Sequence, residues 1–100
     1  MADIKKYESL KDVRDAIDEL DIELVELISK RSHLIRQVAS FKDSVEEVKA
    51  KDRIDFIIQR VRHHAIKLEM SPNTISDLFS IMIDEMVETE IAEFRNTDTF

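Results

Sequence analysis

Four charged side chains stand where an apolar pattern would place hydrophobic ones. The stretch Leu27 to Lys42, LISKRSHLIRQVASFK, repeats apolar residues at steps of three and four, and Arg31 takes the step between Leu27 and Leu34. A guanidinium on an apolar face costs free energy unless an anion meets it. Lys42 follows eleven residues later. That is three turns plus about 20°, so both cations leave nearly the same face, roughly 16 Å apart along the axis. Arg14 precedes Arg31 by seventeen residues, about 25 Å away and turned about 100°. It cannot join them from one helix, but an antiparallel second copy across a two-fold axis can bring its own Arg14 beside Arg31. Glu90 lies four residues after Met86 and four before Phe94, on or beside the apolar face of a later helix. Three cations converging on a hydrophobic helical surface suit a small dianion as ligand.

Purely structural roles exist for each of these residues. An arginine in an apolar seam can snorkel or pair with a carboxylate such as Asp21 or Glu90. Lys42, near a helix end, complements the helix dipole. The adjacent His63 and His64 lie about 100° apart on a helix and share no face, so they make a poor metal pair. Met82 and Met86 read as core filling. No base is positioned beside a nucleophile.

The elements that carry these residues are helices. An apolar row runs Leu10, Val13, Ile17, Leu20, Leu24, Leu27, Arg31, Leu34, Val38, Phe41 in alternating steps of three and four, the pattern of a packing seam. Ser9 is placed to cap it, with Asp12 three residues on. A helix of about 32 residues is roughly 48 Å long, while a compact domain of this size has a radius of gyration of about 13 Å. The chain is too short to cover such a helix, so the seam is expected to pack against a second copy. Residues 43–51 read as a charged loop. A second helix starts near Asp52, with Ile54, Ile57, Ile58, Val61, Ala65 and Leu68 on one face, and ends at KLEM. Ser71 and Pro72 then open a third helix, with Ile75, Leu78, Phe79, Met82, Ile83, Met86, Val87, Ile91 and Phe94 on one side.

Composition agrees. The 100 residues contain no glycine, no cysteine and one proline, which disfavours hairpins, phosphate-cradling loops, disulfides and thiolate chemistry. With 43% hydrophobic and 37% charged residues the chain is globular, and its net charge of −7 argues against nucleic-acid or anionic-membrane surfaces. The N-terminal MADIKKYESLKDVRD lacks a signal peptide's apolar core, and no apolar run approaches the roughly 18 residues of a membrane span. The expectation is one all-α cytoplasmic domain over residues 1–100, without metal or cofactor.

The stretch LKDVRDAIDELDIELVELISKRSHLIRQVASFK, with Arg14, Asp21, Arg31 and Lys42 at matching spacing, resembles the all-α chorismate mutase family. LFSIMIDEMVETEIAEF is similar to that family's third helix, so the resemblance covers residues 9–95. It implies an intertwined homodimer with two equivalent sites, each borrowing Arg14 from the other subunit. It implies a substrate of the chorismate or isochorismate type, with two carboxylates and an enolpyruvyl ether. By position, Arg14 and Arg31 would grip carboxylates, Lys42 would contact a carboxylate and the ether oxygen, Arg53 would line the site, and Glu90 would face the ether oxygen. Lys42 and Glu90 are thus the catalytic candidates. The site would hold a reactive conformer and place fixed donors where negative charge grows.

Two reactions share this fold class: rearrangement of chorismate to prephenate, and elimination of pyruvate from isochorismate to leave salicylate. Mutases of the family carry acidic residues that hold the substrate's ring hydroxyl, where the alignment places Ala50 and Ile54. That favours isochorismate-pyruvate lyase activity with weak mutase activity, and ASFK at Ala39–Lys42 also resembles the lyase subgroup. A one-residue shift would make Asp52 the hydroxyl ligand and restore the mutase reading, and the lyase pattern has glutamine at Glu90. A third alternative is a non-catalytic helical dimerisation or regulatory module, in which Arg31 and Lys42 meet only protein carboxylates.

Overall fold

A computed structural model describes residues 4–41 and 50–98, apart from the side chains of Phe94 and 96–98. It is all-α: helix α1 spans Leu10–Ala39, α2 spans Lys51–Lys67 and α3 spans Pro72–Asp98. The chain divides into two compact units, Met1–Leu34 and Ile35–Phe100.

Each helix begins where local chemistry satisfies its free N–H groups. Ser9 caps α1: its Oγ accepts from the Asp12 N–H at 3.1 Å, and Lys11 pairs with Asp15 one turn on at 2.8 Å. Ser71 caps α3 in the same way, accepting from the Thr74 N–H at 3.2 Å, with Pro72 at the first helical position, where no N–H is needed. Helix α2 starts from Ala50 without a side-chain cap, one residue earlier than the sequence suggests. Helix α1 stops at Ala39 and gives way to a turn at Ser40–Phe41, so it is 30 residues long, slightly shorter than expected. The expected loop falls mostly on residues 42–49, outside the described residues.

The first unit has no interior of its own. Among its described residues none is buried, and Leu10, Leu20, Leu24, Leu27 and Leu34 are each more than half exposed. In the second unit α2 and α3 pack against each other. Its buried residues are Ala39, Ala65, Ile83, Met86, Glu90 and Ile91, and the α3 members recur at helical steps along one face. Leu78, expected on that face, is instead 54% exposed.

The α2–α3 pair is antiparallel, and its closed end is fixed by named groups. Arg62 Nη1 donates to Asn73 Oδ1 at 3.0 Å and to Ser76 Oγ at 2.8 Å. The turn is a Schellman closure: the Met70 N–H reaches the Ala65 carbonyl at 2.9 Å, and the Glu69 N–H reaches that of Ile66 at 3.0 Å. This puts Glu69 at φ 60°, a left-handed conformation that glycine adopts without a Cβ clash. Glu69→Gly should therefore stabilise the protein by about 1 kcal/mol, read as a raised thermal midpoint at fixed protein concentration. An unchanged or lowered midpoint would show that the left-handed residue carries no strain.

Candidate functional site

The sequence-derived residues divide between the two units. Arg14 and Arg31 belong to the first. Arg14 is exposed on α1, as is Asp21, whereas Arg31 is half-buried, with its Nη1 atom withdrawn from solvent. The two are seventeen residues apart on one continuous helix, about 25 Å along its axis, so one copy of α1 cannot apply both to a single small anion. Lys42 lies outside the described residues.

Arg53 and Glu90 belong to the second unit, and the antiparallel register puts them at the same end of the α2–α3 pair. Arg62 lies opposite Asn73 and Ser76. Two turns earlier on α2, Ile54 shares a groove with Asp84, Glu85, Val87 and Glu88. The start of α2 is thus level with the Met86–Glu90 stretch of α3, away from the closed turn. The groove encloses about 300 Å³. Its floor is Ile54 and Val87, and its rim is carboxylate. Ala50 and Ile54, the positions read as lacking a hydroxyl ligand, are both half-buried, while Asp52 is exposed.

Glu90 is 7% exposed and is the one buried charged residue among the described residues, in a chain with 22 Asp and Glu. Its neighbours on the same face of α3 are the buried Ile83, Met86 and Ile91. The sequence placed it there by its four-residue offset from Met86. Withdrawing a carboxyl group from water is costly, which makes Glu90 a candidate functional group.

Arg53 is exposed, and its guanidinium carbon sits 5.3 Å from the centre of the Phe56 ring. The sequence reading missed Phe56, although its i, i+3 spacing from an arginine is the available signal. It also missed the Arg62 clamp, which depends on the register between helices. His63 and His64 are exposed, and among the described residues no three His, Cys, Asp or Glu side chains gather as a metal site. Among them also, no helix is long and apolar enough to cross a membrane.

Comparison with known proteins bears on this arrangement. The family described as Chorismate mutase type II matches residues 13–91. An isochorismate pyruvate lyase of Pseudomonas aeruginosa is 24% identical over 88 residues, which are 88% of this chain and 87% of that protein. The T-protein of Haemophilus influenzae is 34% identical over 84 residues, 83% of this chain but 22% of that much longer protein.

Proposed function

The chain belongs to the chorismate mutase type II family, and from that premise we propose that it is a homodimeric pericyclic enzyme that eliminates pyruvate from isochorismate to leave salicylate, with weak chorismate mutase activity. The observation that carries the choice is the start of α2: Ala50 and Ile54 are half-buried there and offer no side-chain acceptor to a substrate hydroxyl. A hydroxyl held against them would lose its hydrogen bonds to water without replacement. Similarity to the Pseudomonas lyase along nearly all of both chains supports the same choice. The second reading, rearrangement of chorismate to prephenate, draws on Asp52, an exposed carboxylate in the first turn of α2.

The apolar row of α1 supports the dimer. An apolar row open to solvent from Leu10 to Leu34 is covered most simply by the same row of an antiparallel second copy. Each buried leucine contributes about 1.5–3 kcal/mol. In that assembly the partner's α1 supplies Arg14 near Arg31, and the two guanidinium groups bind carboxylates with paired, directional donors. Lys42 donates to the ether oxygen as charge grows there, Arg53 lines the site, and Glu90 in its protonated form offers a second donor. No covalent intermediate forms; the protein holds the reactive conformer and meets its developing charge.

Supplying purified protein with isochorismate and chorismate separately should give salicylate plus pyruvate from the first and little prephenate from the second. The reverse preference would establish the mutase reading, and turnover of neither would leave the helical dimerisation module. Arg14→Ala and Arg31→Ala chains, each inactive alone, should regain up to about a quarter of wild-type activity when mixed, because one site of each hybrid dimer keeps both arginines. No recovery after verified subunit exchange would rule out a shared site. Glu90→Gln should flatten the pH–rate profile near neutrality, since an amide donates at every pH and a carboxyl group only when protonated; an unchanged profile would remove Glu90 as a proton-bearing donor.

A further inference from the structure

We infer that Phe56 is a positioning residue: its ring holds the Arg53 guanidinium away from the carboxylates of α3, so that the cation stays available to an anionic ligand. The inference rests on the placement of Arg53 in the site proposed above. Arg53 stands next to Ile54, which shares its groove with Asp84, Glu85 and Glu88. Three carboxylates of the facing helix therefore line a groove with Ile54, the residue next to Arg53 in sequence. Yet among the described residues Arg53 is joined to no carboxylate; its charge lies 5.3 Å from the Phe56 ring centre.

The helix wheel explains how. Ile54, Ile58, Val61 and Ala65 form the α3-facing row of α2, with Ala65 only 3% exposed. Two residues on from Ile54 the helix has turned about 200°, which carries Phe56 to the opposite side, 52% exposed. Stacking on that ring draws Arg53 away from the groove. An exposed cation–π contact and an exposed ion pair are of similar strength, so the ring can decide which the arginine makes. The two outcomes differ in consequence. A carboxylate partner neutralises the guanidinium and occupies its donors, whereas the ring leaves its charge unpaired and its N–H groups free. A large aromatic side chain kept in water at this position thus has a use that packing does not supply.

Steady-state kinetics on the substrate that the protein turns over test the inference. Phe56→Leu should raise KM about two- to five-fold with kcat little changed, and Phe56→Tyr should retain the wild-type KM. Adding Asp84→Asn, Glu85→Gln and Glu88→Gln to Phe56→Leu should restore KM, because none of the three groove carboxylates beside Ile54 then remains to capture the arginine. A purely structural role for Phe56 would not be rescued on α3. An unchanged or lowered KM in Phe56→Leu, or a failure of that rescue, overturns the inference. In parallel, the Arg53 side-chain methylene protons should show an upfield ring-current shift that Phe56→Leu abolishes; absence of the shift overturns the inference whatever the substrate. An Arg53→Ala variant with wild-type KM, or turnover of neither substrate, overturns it together with the site on which it rests. A persisting ring-current shift then marks the site assignment as the part that failed.

Discussion

An apolar row that its own unit leaves in water is the constraint from which everything else follows. Helix α1 is 30 residues long, and its leucines from Leu10 to Leu34 are more than half exposed. Isolated helices derive little stability from backbone propensity alone and depend on packing of their apolar face. Arg31 is set into that same row. In the proposed dimer, the helix that covers the leucines also lies against Arg31, so association and ligand binding place demands on one surface. In the proposed dimer these demands agree: the helix that buries the leucines is also the one that delivers Arg14.

The second unit resolves a different conflict. On the proposed function, a chain with net charge −7 has to attract a dianion. Most of its carboxylates remain exposed, where water and salt screen them. Among the described residues Glu90 is the buried exception, and three exposed carboxylates line the groove at Ile54. A cation in such surroundings is easily neutralised by its own protein. Keeping a guanidinium against an aromatic ring is one way to hold it apart from those carboxylates, and Arg53 on Phe56 is placed in that way.

Much of this is legible in the sequence, for identifiable reasons. Alternating three- and four-residue steps located all three helices, and Ser9, Ser71 and Pro72 marked two of their starts because caps act through bonds spanning three residues. The four-residue offset between Met86 and Glu90 put the carboxyl on the buried face. Leu78 was misjudged because periodicity identifies a face but not whether a neighbour reaches it. The Arg62 bonds to Asn73 and Ser76 were invisible, since they depend on how two helices slide against each other. The start of α2 was misplaced by one residue because Ala50 offers no capping side chain to read.

The Schellman closure and the Arg62 clamp also bear on the order in which the protein assembles. Both tie together residues close in sequence, Ala65 to Met70 and Arg62 to Ser76, so the loop entropy lost in forming them is small. Contacts of this kind form quickly and need no second chain. The cover for α1 is of the opposite kind. If it comes from another copy, ordering of the longest helix is a bimolecular event whose rate scales with protein concentration, whereas the α2–α3 pair closes at a rate independent of it. The arginines of α1 would then reach their working positions last, and the enzyme would acquire its charge-binding surface only at the moment of pairing.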